Sequence, residues 1–210
     1  MKTLKVGEIA IASLIERDGP WRTPEAMLPA YDPEIGRRRL AELDPIVFDP
    51  AAKYIFHKGE YEHWEAVSSR GEAPPGILEG KLPGNSWSYN CRPIVEAGQA
   101  LLVDDEFQLD DNFTLIPTPG HSTGHCCVMI RSQGQGAVVT GDLMHHALQC
   151  REPDWSTIFD TDPVQAAQSR RRLLGQVAET GTFVLPIHFP NPTTGLVSAN
   201  GDRFRYTFVR

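Results

Sequence analysis

Disulfide chemistry is what the sequence most plainly lacks. Its four cysteines, Cys91, Cys126, Cys127 and Cys150, form no C-x-x-C pair and no framework spacing. That excludes a stapled scaffold and favours a reducing compartment with packed thiols, so a cytoplasmic location is expected. No stretch reaches the ~18 apolar residues of a membrane span. The apolar run from Ile9 to Ile15 is closed by Glu8 and Glu16 with no small-residue cleavage site behind it, and reads as a strand rather than a leader. Positive charge is not in excess either: 20 Lys and Arg against 27 Asp and Glu give a net charge of −7. That balance argues against nucleic acid and anionic membrane as partners and for a small-molecule substrate. Internal repeats and long low-complexity segments are absent, which leaves one domain over residues 1–210 with room for a sizeable core.

What the chain does contain is a series of apolar runs divided by turn chemistry. Residues 3 to about 15 read as a first strand, followed by a Pro-containing loop and a short helix over Pro33–Leu43, where proline suits a first helical turn. KYIFH reads as a strand, GEYEHWEAV as a helix, and residues 71–90, rich in Pro and Gly, as a long surface loop and pocket wall. A short helix is expected near RPIVEAG. FTLIP, CCVMIRS and GAVVTGD form three successive strands and sheet neighbours, separated by turns such as SQGQG. DTDPVQAAQSRRRLLGQVAETG predicts a helix with Asp162 as N-cap, Pro163 in the first turn, Gln165 near the capping-box position and Gly181 as the stop. TFVLPIH is a further strand and FRYTFVR the last. Strands interspersed with helices give a mixed α/β class.

Residues 118–125, TPGHSTGH, place two histidines four apart, but Pro119, Gly120 and Gly124 exclude a helix that would align them. The stretch is a loop at the end of the strand FTLIP, where binding and catalytic groups concentrate. His121 follows FTLIP, Asp142 follows AVVTG and His188 follows FVLP, so the three converge if those strand ends share one sheet edge. Two imidazoles and a carboxylate make a catalytic zinc set that leaves a position open for water. Spacing alone leaves two plainer readings open: Asp142 as a turn cap and His188 as a packed histidine.

TPGHSTGH, VVTGDLMHH and VLPIHFP, in that order and with a helix before the third, resemble the later metal motifs of the metallo-β-lactamase-fold hydrolases. The resemblance spans most of the chain. It is nearest the branch of quorum-quenching lactonases and organophosphate hydrolases, in which AKYIFHKGEYEHW and FDTDP also find counterparts. It implies a metallo-β-lactamase-like αββα sandwich with a two-metal site at one end of the sheets. It also implies a divalent metal, zinc first, and hydrolysis of a lactone, ester or phosphotriester by a metal-bound hydroxide. Carried over residue by residue, His121 ligates the first metal, Asp142 bridges both and His188 ligates the second. His145 and His146 line the substrate pocket, with plain surface exposure as the alternative.

The family's hallmark, H-x-H-x-D-H, occurs nowhere among the seven histidines. What resembles the family's entry segment, AELDPIVFDP, runs straight into what resembles its post-hallmark strand, AKYIFHK, which marks an internal deletion near residues 48–53. Three ligands then remain for two metals, so at most one ion is expected. Two functions stand side by side: a metal-dependent hydrolase, and a catalytically inactive remnant or binding-only relative. Lost strands leave sheet edges and apolar surface, which makes self-association the expected relief. His125 is expected to orient its neighbours rather than bind metal. Cys126 and Cys127 are expected on opposite strand faces, His57, His63 and Trp64 in core or surface roles, and Arg170 to Arg172 on a solvated helix face.

Overall fold

Alternating burial along CCVMIRS organises the fold, with Cys127 and Met129 on one side of a strand and Ile130 on the other, all buried. The computed structural model describes residues 3–12, 32, 34, 52–70, 87, 91–190 and 193–209. Along the chain come β1 (Thr3–Val6), β2 (Ile9–Ala12), β3 (Tyr54–His57), α1 (Lys58–Ser69), α2 (Arg92–Glu96), β4 (Ala100–Val103) and β5 (Phe107–Gln108). There follow β6 (Phe113–Pro117), β7 (Cys126–Ser132), β8 (Gln135–Val139), a 3-10 turn at Gly141–Leu143, α3 (Leu148–Arg151), α4 (Pro163–Val177), β9 (Phe183–Leu185), β10 (Gly195–Asn200) and β11 (Arg203–Phe208). The helix expected over Pro33–Leu43 and the loop over 71–90 lie, apart from Glu34 and Trp87, outside the described residues.

Seven strands form one sheet in the order β11-β10-β9-β8-β7-β6-β5. FTLIP, CCVMIRS and QGAVV are antiparallel neighbours, as their short turns require. The next step, β8 to β9, is parallel, Ala137 pairing with Phe183 and Val139 with Leu185, and the crossover between them carries α3 and α4. Strands β6, β8 and β9 therefore run in the same direction and end at the same edge.

Both faces of the sheet bury apolar side chains. On one, Cys127, Met129, Val138, Val184 and Val197 meet Leu173, Leu174 and Val177 of α4, together with Leu143, Met144, Cys150 and Phe189. On the other, Ile130 and Ala137 pack with Val6, and against this cluster lie Leu4, Ile9 and Ile11 of the hairpin and, from the sheet, Phe113 and Val128, Val139, Phe183 and Leu185. Those last four are only half-buried. A separate parallel pair, β3 with β4, is joined through α1.

The structure corrects the reading of residues 3–15 as one strand: its described part, residues 3–12, folds into the hairpin β1–β2 about Gly7. Gly7 sits at φ +57°, and a Cβ there would lie 2.5 Å from the Ser132 carbonyl oxygen, so the turn needs glycine twice over. Its N–H donates to Gln135 Oε1 at 2.8 Å and that of Glu8 to Ser132 Oγ at 3.2 Å, which pins the hairpin to the β7–β8 turn. Helix α4 starts as expected, with the Asp162 carboxylate accepting the Gln165 N–H at 2.9 Å and Pro163 in the first turn. It ends at Val177, ahead of Gly181, because Glu179 turns to φ +60° and donates its N–H to Val197 O in the sheet. Strands β4, β5 and β10 and helix α3 carry no sequence expectation above; β10 pairs with β11 along its whole length.

All four cysteines are free, and burial pushes the thiols of Cys127 and Cys150 up to about 12. Leu174 is 0% exposed in the α4 interface and Leu101 38% exposed on β4. Leu174→Ala is expected to lower unfolding free energy by about 2–5 kcal/mol, and Leu101→Ala by no more than about 0.5 kcal/mol, in chemical denaturation.

Candidate metal centre

The loop TPGHSTGH joins β6 to β7 and is closed by a pair at its base, Thr118 N–H donating to His125 O at 2.8 Å. Its glycines mark close approaches. A Cβ on Gly120, at φ +130°, would lie 2.1 Å from the Ala166 backbone nitrogen in the first turn of α4. One on Gly124 would lie 2.5 Å from His57 Nδ1. The Gly124 N–H also donates to Glu60 Oε2 at 2.7 Å, so the loop is wedged between α1 and α4. Asp162 N–H to Gly120 O at 2.8 Å and Thr161 N–H to His121 O at 3.1 Å complete the clamp. The histidines of this loop are thus held on a rigid support.

Asp142 enters from the 3-10 turn that follows β8, and His188 from the bend after β9. The shared direction of β6, β8 and β9 brings both beside His121. Asp142 Oδ2 lies 3.8 Å from His121 Nε2, while Oδ1 lies 3.7 Å from His145 Nε2 and 2.5 Å from His188 Nε2. The His145 ring stacks on that of His188 with centroids 4.5 Å apart, lies 5.2 Å from that of His121, and on another side stacks against Phe159 at 5.8 Å. One carboxylate therefore faces three imidazoles. His146 is exposed, and its Nδ1 accepts the Leu148 N–H at 3.1 Å, a local role at the start of α3.

Other side chains fix these positions. His125 uses both ring nitrogens: Nε2 accepts the Asp142 N–H at 3.1 Å, so the proton is on Nδ1, which faces Thr118 Oγ1 at 2.8 Å and Thr118 O at 3.2 Å. Burial holds it below the usual histidine range, and it orients the Asp142 turn. Gly141, at φ +50°, is confined by the same ring, 2.9 Å from where its Cβ would stand. Gln149 Oε1 accepts the N–H groups of His145 and His146 at 2.7 and 3.2 Å.

His121 Nδ1 meets Asp160 Oδ1 at 3.1 Å, and this hydrogen bond raises the His121 pKa despite burial. Burial alone would raise the Asp160 carboxyl, but His121, the Thr157 N–H and Arg170 outweigh it and hold it low. Burial chiefly, then His188, lowers that of His145.

Arg170 overturns the expectation of a solvated Arg170–Arg172 face, since its side chain is 1% exposed. Its guanidinium donates to Leu143 O at 3.0 Å, Pro153 O at 2.6 Å and Trp155 O at 3.1 Å, and pairs with Asp160 Oδ2 at 3.5 Å. It ties the Asp142 turn to the residue that orients His121. Arg171 pairs outside with Asp154 and Arg172 donates to Pro117 O, so only Arg170 turns inward. The apolar stripe Ala166, Leu173, Leu174 and Val177 passes through position 170 at helical spacing, a signal readable in the sequence. Asp160 was likewise visible within FDTDP; Gln149 had no such marker.

The metallo-beta-lactamase superfamily profile matches residues 49–188, from the junction at Asp49 to the last of the clustered histidines. The chain belongs to that superfamily. Among solved structures it is similar to AidC, a dizinc quorum-quenching lactonase crystallised with a homoserine product, at 23% identity and TM-score 0.58 over 74% of this chain and 55% of that one. It is similar as well to the hydrolase AbOPH, at 20% identity and TM-score 0.58 over 76% of this chain and 55% of that one. A probable metal-dependent hydrolase from Staphylococcus aureus matches at 21% identity and TM-score 0.54, over 74% and 53%. These likenesses show the superfamily's fold, and the chain spans about half the length of the structures it matches. No curated protein matches the sequence significantly.

The superfamily implies divalent metal, and the donors fit one ion: ligand atoms of His121, Asp142 and His145 all lie within 4.8 Å of one another. They do not fit two, since no second such group occurs among the described residues and H-x-H-x-D-H is absent from the sequence. The buried Arg170–Asp160 pair is the structural hinge of this arrangement. Arg170→Met, which strands the Asp160 carboxylate, is expected to cost about 3–5 kcal/mol of stability. Arg171→Met, at the exposed pair, should cost no more than about 1 kcal/mol in the same denaturation experiment.

Proposed function

We propose that this chain is a metal-dependent hydrolase acting on a small lactone, ester or phosphotriester, with zinc as its ion. The observation that carries the reading is the Asp142 carboxylate, whose Oδ2 faces His121 while Oδ1 faces His145 and His188. A bound divalent ion supplies Lewis acidity toward a carbonyl or phosphoryl oxygen and acidifies water. Asp142 and His121 are its first holders, and His188, assigned by family resemblance as a ligand, borders them. Asp160 orients the His121 ring, as carboxylates commonly do for metal-binding histidines. Exposed Phe159, stacked on His145, offers an apolar surface to a substrate's apolar group. His146, exposed next in the chain to His145, is assigned to the substrate by family resemblance alone.

A second reading, an inactive remnant or binding-only relative, is favoured by the missing H-x-H-x-D-H and by coverage of 55% of the AidC chain. Four free thiols support a reducing, cytoplasmic setting, and no described helix is long and apolar enough to cross a membrane. The half-buried apolar residues under the hairpin support self-association with a second copy.

Turnover of a γ-lactone, an aryl ester and an aryl phosphotriester by the zinc-loaded chain decides between the readings. We expect slow hydrolysis that a chelator stops and that Asp142→Ala abolishes. A rate equal in Asp142→Ala and unaffected by the chelator leaves the remnant reading alone.

A further inference from the structure

We propose that the chain holds a single divalent cation on His121, Asp142 and His145, with His188 outside the ligand set as the hydrogen-bonding partner of Asp142. This rests on the metal-dependent reading above and departs from the resemblance, which assigns His188 to the metal and His145 to the substrate.

Separations distinguish the two histidines. Ligand atoms about 2.0–2.2 Å from one tetrahedral ion stand roughly 3.3–3.6 Å from each other. His121 Nε2 lies 3.8 Å from Asp142 Oδ2 and His145 Nε2 3.7 Å from Asp142 Oδ1, each too far for a hydrogen bond and each within a few tenths of an ångström of the spacing of two ligands on one ion. One ligand atom from each of the three residues falls within 4.8 Å of the others. His188 Nε2 lies 2.5 Å from Asp142 Oδ1, closer than two ligands of one ion can stand. That contact is a hydrogen bond. An ionised carboxylate only accepts, so His188 Nε2 carries the proton and has no lone pair to offer a cation while it orients Asp142.

The remaining nitrogens agree. His121 Nδ1 is engaged by Asp160, which leaves Nε2 as its inward donor. His145 makes no hydrogen bond through its ring: Nδ1 is buried without a partner, and Nε2 stops short of Asp142. Nε2 is thus the nitrogen that faces Asp142 without being spent in a hydrogen bond, as a ligand atom must be. The His145 backbone is meanwhile fixed by Gln149 at 2.7 Å, so the ring is held in place rather than free to swing away.

Cobalt(II) added to the full chain, stripped of metal by chelator, tests the assignment by a readout independent of turnover. We expect one ion per chain by elemental analysis. His145→Cys should gain a thiolate-to-cobalt charge-transfer band that wild type and His188→Cys lack. His188→Ala should keep the wild-type cobalt spectrum with affinity lowered about 10-fold, as for loss of a ligand-orienting group. Denaturation midpoints check that each variant folds. Should His145→Cys not fold, His145→Asp replaces it: this variant keeps a donor and should retain one ion where His145→Ala does not. A band in His188→Cys but not in His145→Cys, or two ions per wild-type chain, overturns the ligand set while leaving the hydrolase reading standing. Wild type that binds no cobalt overturns both.

Discussion

The parallel pairing of β8 with β9 is the constraint on which the site depends. Because β6, β7 and β8 alternate in direction through short turns and β9 then runs alongside β8, three strands end at one edge. Each is followed by a histidine or an aspartate. Were β9 antiparallel to β8, His188 would leave from the opposite edge. The crossover that makes the parallel step possible also delivers α4, whose apolar stripe seals the sheet and whose first turn abuts the histidine loop.

Precision at the site comes from buried polar groups that are satisfied almost completely. Arg170 gathers three backbone carbonyls and the Asp160 carboxylate, and Asp160 reaches on to His121. Such a network is costly to interrupt, because removing one member strands the others away from water. His125 performs the same task on the other side, tying the base of its own loop to the Asp142 turn. The buried side-chain atoms left without a partner among the described residues are His57 Nδ1, Thr140 Oγ1 and His145 Nδ1.

The superfamily's metal chemistry and this chain's donors meet only in part. A two-ion centre shares a nucleophile between metals, and that arrangement requires ligands on the loop H-x-H-x-D-H, which this sequence does not contain. A one-ion centre still polarises substrate and acidifies water, with less charge to stabilise the transition state. Among the described residues, one face of the large sheet is sealed by α4, while the other lies under a two-stranded hairpin with Val128, Val139, Phe183 and Leu185 half-buried.

By itself the sequence determined the strands FTLIP and CCVMIRS, the capped start of α4 at Asp162 and Pro163, and the candidacy of His121, Asp142 and His188, because periodicity, capping and turn chemistry are local properties. It also determined the loss of the hallmark, which is a matter of composition. It did not reveal that residues 3–12 fold back at Gly7, where the close approach that demands glycine comes from the Ser132 carbonyl 125 positions away in the chain. The helical stripe through position 170 was readable in the sequence, but the carbonyls of Leu143, Pro153 and Trp155 and the Asp160 carboxylate that satisfy the buried guanidinium are brought to it only by the tertiary fold. The surroundings of His145 and His188 were a tertiary decision too. Both follow apolar segments and both suit a metal, and only the fold sets His188 Nε2 at 2.5 Å and His145 Nε2 at 3.7 Å from Asp142 Oδ1, the difference on which the proposed ligand set rests.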